Sequence, residues 1–234
     1  MVDISLKHVH RWLWPGNCLL CGARVSSRDD LCPACEHSLP RTAWVCPRCA
    51  ANDAVRGTED TICGECQKHP PDFVGTQAAF RYAAPLDKLI QDLKYNGRLD
   101  LSRVLGGYLA RHLLNLAGPR PDVIVPVPLH PSRLRSRGYN QSLELARFVA
   151  RALELPIDFK NARRLRATAP QTELPREQRH RNVRGAFQAG SAFNGRSVAV
   201  VDDVMTSGHT VREVAQSLLK AGAREVRVWV VARA

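Results

Sequence analysis

Between Leu86 and Leu113 the apolar positions recur with the period of a helix. Leu86, Leu89, Ile90 and Leu93 fall at i, i+3, i+4 and i+7, one face of a helix ending near Asn96-Gly97. A second face runs through Leu101, Val104, Leu105, Leu109 and Leu113 and stops before Gly118-Pro119. Upstream, Phe73 to Tyr82 alternates with Phe80 and Tyr82 on one side and predicts a strand or hairpin arm. Downstream, Asp122 to Pro128 is a short apolar run, a buried strand broken by Pro126 and Pro128, opening into a basic loop with Arg133, Arg135 and Arg137. Asn140 is placed to cap a third helix, whose face is Leu143, Ala146, Val149, Ala150 and Leu153. Residues 160–184 are Arg-rich with little periodicity and read as a loop or arm. The last unit is a strand at Val198 to Val201, a helix at Val211 to Ala221 and a strand at Val226 to Val231, with Gly222 where a helix end belongs. Strand–helix–strand units of this kind build a parallel α/β sheet with helices on its faces.

The cysteines mark off a different module. All eight lie between residues 18 and 66, in four Cys-x-x-Cys pairs: Cys18/Cys21, Cys32/Cys35, Cys46/Cys49 and Cys63/Cys66. Two thiolates at that spacing reach one tetrahedral metal from a tight turn, and four pairs make two closed, structural zinc sites. Gly22 and Gly64 stand where such turns need a permissive backbone. Order along the chain assigns Cys18, Cys21, Cys32 and Cys35 to one zinc, and Cys46, Cys49, Cys63 and Cys66 to the other; a cross-braced pairing stays open. Zinc thiolates fit a reducing compartment, so a cytoplasmic protein is expected. The boundary falls at Pro70-Pro71: residues 1–70 hold an N-terminal helix and the double four-cysteine zinc-ribbon module, and residues 71–234 the α/β domain. Leu6, Val9 and Leu13 line one face of that first helix, for packing or for membrane contact. No window of about 18 apolar residues exists, so no transmembrane segment is expected.

Candidate chemistry concentrates between Val198 and Thr210. A buried strand delivers Asp202 and Asp203 to its carboxyl end, where ligands of open α/β sheets bind. Thr206, Ser207, Gly208, His209 and Thr210 then lead into a helix, whose N-terminus favours a phosphate. Gly208 permits close approach, and the hydroxyls add donors. Two carboxylates beside a phosphate site make sense if the ligand also carries hydroxyls for them to accept. A helix cap accounts for one hydroxyl residue, not for the whole string.

In these residues the chain resembles the type I phosphoribosyltransferases, and over nearly its full length it resembles the ComF/GntX family of competence-associated proteins within that group. The motifs are the four Cys pairs, Leu93-Lys94-Tyr95, Val125-Pro-Val-Pro128, Arg137-Gly-Tyr-Asn-Gln141, Gln171-Thr172, Arg179 with Asn182, Gly185-Ala-Phe187 and the phosphate loop. The resemblance implies a type I phosphoribosyltransferase fold behind a zinc-ribbon module. It implies binding of phosphoribosyl pyrophosphate (PRPP) with Mg2+, and transfer of the phosphoribosyl group to an acceptor. It implies that Asp202 and Asp203 serve the ribose and its chemistry, that residues 206–210 hold the 5′-phosphate, and that Arg133, Arg137 and Lys94 meet the pyrophosphate. His209 departs from the small residue common in this loop. Every Cys belongs to a metal pair, which leaves no nucleophile for a glutamine-dependent amidotransferase.

Charge keeps a second function class in view. The formal net charge of +12 favours anionic partners. Residues Arg163 to Arg184 serve as a mobile cover over PRPP, as a basic arm for nucleic acid, or as a solvated face. The alternative to an enzyme is therefore a non-catalytic PRPP-sensing or single-stranded-DNA-binding protein, partnered by DNA-uptake machinery. Few aromatic residues interleave the Arg-rich stretch, so base stacking is poorly provided for.

Overall fold

The computed structural model describes residues 16–25, 31–42, 45–51, 61–167 and 183–234. The expected N-terminal helix lies outside them, as do Gln171, Thr172, Arg176, Arg179, Arg181 and Asn182.

The cysteine module repeats one plan twice. Strands β1 (Gly16–Asn17) and β2 (Arg24–Val25) pair antiparallel around Cys18 and Cys21. Cys32 then caps α1 (Pro33–His37), which carries Cys35. In the second copy Cys46 and Cys49 form the turn, Cys63 caps α2 (Gly64–Lys68), and Cys66 sits on that helix. The turns match bond for bond: Cys18 N donates to Ala23 O and Gly22 N to Cys18 O, as Cys46 N donates to Ala51 O and Ala50 N to Cys46 O. Gly22 takes φ +76° as expected, but Gly64 does not need its freedom: the second turn places Ala50 at φ +53° and starts a helix at Gly64.

Strands β3 (Gly75–Arg81), β4 (Val123–Pro126), β7 (Ser197–Met205) and β8 (Glu225–Arg233) form a four-stranded sheet in the order β3-β8-β7-β4. Every pairing in it is parallel. One face buries Ala199, Val201, Trp229 and Val231 against α3 (Leu86–Tyr95), α4 (Asp100–Leu114) and α6 (Gln141–Leu153). The other buries Val198, Val200, Val226, Val228 and Val230 against α7 (His209–Lys220) and the second cysteine cluster. Strands covered on both faces read as unbroken apolar runs rather than alternation, as β4 and the first half of β7 do. The first cluster joins the opposite core, where Cys18, Val25, Leu31 and Leu39 meet Leu86, Leu89 and Ile90.

Three elements differ from the sequence expectations. The basic loop after Pro128 is a short helix, α5 (Pro131–Arg137): the His130 side chain accepts from Ser132 N, Pro131 suits the first turn, and Gly138 closes it at φ +85°. Within 160–184 lies β5 (Ala162–Arg164), which pairs antiparallel with β6 (Phe187–Ala189). Strand β7 also runs past Val201 through both aspartates to Met205, because β8 beside it continues to Arg233. Asn140 caps α6 as expected, accepting from Ser142 N at 3.0 Å.

Candidate functional site

The carboxyl ends of β7 and β4 open into a cavity of about 300 Å3. Its wall includes Asp202, Asp203, all of residues 206–210 and Lys94, which the sequence had placed together. It also includes Tyr82, Gln141 and Arg164, which it had not.

Both carboxylates are buried and held from defined directions. Asp202 Oδ1 accepts from Ser142 Oγ at 2.8 Å and from Asp203 N at 2.9 Å. Asp203 Oδ1 accepts from Val204 N at 2.7 Å, while Oδ2 faces Lys94 Nζ at 3.1 Å. Burial, and next the charge of Asp203, push Asp202 up to about 7, against the pull of Lys94 and Ser142. Burial works to lower Lys94, but the carboxylates of Asp203 and Asp202 outweigh it and leave it raised. Lys94 meets the pair directly, and the Arg164 guanidinium stands on the same cavity wall. Once ionised, the carboxylates are acceptors for hydroxyl donors or ligands for a cation carried in by the ligand.

The loop turns sharply at Gly208, which is buried at φ +77° and is the N-cap residue of α7. Its requirement is this backbone angle rather than room: a Cβ built there meets Met205 Sδ at 3.7 Å, an ordinary contact. The twelve-residue α7 then directs its N-terminal dipole at the cavity.

Arg133 and Arg137 stand on α5, off the cavity wall. Arg137 donates to Gln141 Oε1 at 2.5 Å and lies over the Tyr95 ring at 5.4 Å. Burial and the charge of Arg133 lower Arg137, and Asp203 opposes them. Arg164 lies over the Phe187 ring at 5.3 Å. Burial lowers it, and so does Arg133, while Asp202 raises it. Arg133, Arg137 and Arg164 thus share one field with the acidic pair. Lys94 belongs to the same frame, because the Tyr139 hydroxyl donates to Leu93 O and ties α3 to the turn before α6. In the sequence Arg164 is one of many arginines in an Arg-rich stretch. Gln141 and Ser142 had no signal beyond the motif and helix in which they stand.

The eight thiols form two quartets, Cys18/Cys21/Cys32/Cys35 and Cys46/Cys49/Cys63/Cys66, each with its sulfurs within 4.8 Å of one another. Cys21 and Cys32 Sγ are 3.7 Å apart, Cys49 and Cys63 Sγ 3.6 Å. A tetrahedral zinc at ~2.3 Å from each sulfur requires edges of about 3.8 Å, so the donor sets fit. Backbone N–H groups of Cys21, Cys32 and Leu20 overcome burial to bring Cys18 down to about 6. Those of Cys63, Cys49 and Arg48 do the same for Cys46, to about 7. Hydrogen bonds from Cys21 and Cys32 push Cys35 up to about 12, and burial pushes Cys49 up to about 11. Zinc takes its cysteine ligands as thiolates, so binding would release the protons that the raised thiols hold.

Sheet, cavity and cysteine clusters define a phosphoribosyltransferase-type α/β fold joined to a double zinc ribbon. The chain matches the double zinc ribbon domain family over residues 9–72 and the phosphoribosyl transferase domain family over residues 139–234. It is 34% identical to DNA utilization protein YhgH of Salmonella typhi, over 94% of this chain and 97% of that protein. It is 31% identical to competence protein F of Haemophilus influenzae, over 93% and 96%. The chain belongs to this ComF family of competence and DNA-utilization proteins. A glutamine PRPP amidotransferase from B. subtilis, solved with ADP and GMP, aligns at TM-score 0.41 and 24% identity over 60% of this chain and 30% of its own. Among the described residues no helix is long and apolar enough to cross a membrane.

Proposed function

We propose that the cavity binds PRPP with Mg2+ and that the protein transfers the phosphoribosyl group to an acceptor. The observation that carries this reading is one wall shared by a buried Asp202–Asp203 pair and the Thr206–Thr210 loop at the N-terminus of α7. The loop holds the 5′-phosphate through backbone N–H groups, the Thr206, Ser207 and Thr210 hydroxyls, and the helix dipole. Asp202 and Asp203 accept from the ribose hydroxyls and, with the pyrophosphate oxygens, offer ligands to Mg2+. Bound magnesium would neutralise the pyrophosphate as it leaves. Lys94, Arg133, Arg137 and Arg164 supply the positive field on that side, Arg as bidentate phosphate donors. In the transfer the anomeric C–O bond breaks and its electron pair leaves with pyrophosphate. The acceptor atom bonds to the anomeric carbon and its proton passes to solvent. The protein's part is positioning and charge stabilisation. The test is calorimetric titration of PRPP with and without Mg2+, followed by pyrophosphate release with candidate acceptors. Absence of PRPP binding overturns the reading.

A second reading rests on the +12 charge and on the names of the relatives. In it the protein serves DNA utilization in the cytoplasm and also binds single-stranded DNA through phosphate contacts, beside DNA-uptake proteins. The zinc ribbons, divided from the α/β domain near residue 70, act as structural modules in either case.

A further inference from the structure

The second cysteine turn is tied to the sheet by its own backbone. Pro47 O accepts from Thr76 N at 3.3 Å, Arg48 O from Thr76 Oγ1 at 2.8 Å, and Cys49 O from Arg233 Nε at 2.9 Å. Three successive carbonyls of a thiolate-bearing turn are thus held by β3 and by the end of β8. Arg233 reaches further. Its Nη1 donates to Met205 O at 3.1 Å, and Arg233 and Met205 are register partners on β8 and β7. Met205 ends β7 immediately before Thr206, and its thioether lies beside the Gly208 position. One guanidinium therefore spans the second four-cysteine cluster and the root of the loop. Arg212 of α7 adds a parallel tie, donating to His69 O at 3.3 Å and Pro70 O at 3.4 Å just beyond α2.

We propose that Arg233 is a positioning residue that makes the geometry of the 206–210 loop depend on the second cysteine cluster. The cluster fixes Cys49 O, the Arg233 guanidinium spans a set distance from it, and Met205 O anchors the start of the loop. The consequence for ligand binding rests on the phosphate-loop reading; the coupling itself does not. A guanidinium presents its donors in a rigid plane, so bonds from two of its nitrogens to two elements hold those elements at one separation. An ammonium is a single point of donation and cannot reproduce that span. Met205 O also accepts from Ala234 N at 3.0 Å, so the β7–β8 pairing persists without the Arg233 side chain. Coupling between sites is reciprocal: what frees the loop also loosens the cluster.

The experiment is hydrogen exchange on the full-length, zinc-loaded protein with Arg233→Ala and Arg233→Lys. In Arg233→Ala the amides of residues 206–210 are expected to exchange about tenfold faster, the worth of one hydrogen bond to a charged group. Amides of α6 should stay unchanged, and zinc should pass to a chromogenic chelator faster from the second cluster. Arg233→Lys should fall between the two, and it carries the same test should the alanine variant fail to fold. Unchanged loop amides, or loop and α6 amides rising together, overturn the proposal. In parallel, PRPP affinity should fall about tenfold in Arg233→Ala; full affinity there overturns the positioning role. Failure of the wild type to bind PRPP sinks the phosphoribosyl reading alone, and the exchange comparison still decides the role of Arg233.

Discussion

Lys94 Nζ stands 3.1 Å from Asp203 Oδ2, joining the end of α3 to the end of β7 with one side chain a fifth exposed and the other almost fully buried. Removing one partner of such a pair leaves the other charge without compensation, and here a second carboxylate lies beside it. Lys94→Met is expected to cost about 3 kcal/mol of stability, the low end for a broken buried pair because Lys94 is a fifth exposed, measured by denaturant unfolding. Adding Asp202→Asn to that variant should recover part of the loss by removing the like charge. Wild-type stability in Lys94→Met would show that the ion pair contributes nothing.

The raised Asp202 makes stability and binding respond oppositely to pH. In the unfolded chain this carboxyl ionises at its ordinary value of 3.8, and in the fold at about 7. Between these values the folded state holds one more proton than the unfolded state, so this group's contribution falls as pH rises from about 4 through about 7. PRPP affinity should rise over the upper part of that window, as Asp202 becomes an acceptor for ribose. Melting temperatures and titrations from pH 5 to 8, with Asp202→Asn as the reference, check both directions. An identical pH profile in the variant would remove Asp202 as the cause.

The acidic pair and the loop should fail differently. Replacing both Asp202 and Asp203 with Ala should weaken PRPP at least about a hundredfold, the loss of two hydrogen bonds between neutral hydroxyls and charged carboxylates. Inorganic phosphate should still bind the loop. Gly208→Ala should instead weaken PRPP and phosphate together, because φ +77° strains any side-chain-bearing residue. Equal PRPP affinity in a folded double-aspartate variant would contradict the ribose role.

Elemental analysis should give about two zinc ions per chain. The clusters differ in shelter: Cys21 is exposed and Cys32 and Cys35 half-buried, whereas all four thiols of the second cluster are buried. A chelator should therefore empty the first cluster first, in two resolved phases. A single phase would mean that burial does not control release.

Single-stranded DNA, if it binds, should do so through phosphate contacts, with affinity falling steeply as salt rises and depending little on sequence. Neutralising Arg176, Arg179 and Arg181 should weaken it and shallow the salt slope. No binding at low salt would assign the positive charge to PRPP and solubility.

Much of this molecule was legible along the chain because the signals are local. Cys-x-x-Cys spacing, Val runs, the helical faces of α3 and α6, and the Asp-Asp and Thr-Ser-Gly-His-Thr strings each act within a turn or a strand. The basic segment after Pro128 misled for a local reason as well. Its arginines suggested a loop, while His130 as cap, Pro131 in the first turn and Gly138 at the end make it a helix.

By itself the sequence determined two four-thiol sites, a parallel sheet and a Thr-Ser-Gly-His-Thr loop directly after two carboxylates, since backbone propensity and short spacing suffice for those. Only the tertiary structure decided what each charge faces. Ser142 and Asp202 are 60 residues apart, and Cys49 and Arg233 are 184 apart. Lys94 meets Asp203 because α3 packs on the face of the sheet from which Asp203 emerges. Contacts of that range follow from strand order and helix packing, which bring distant residues together by burying apolar faces. No periodicity along the chain encodes which polar side chains then meet at the sheet's end.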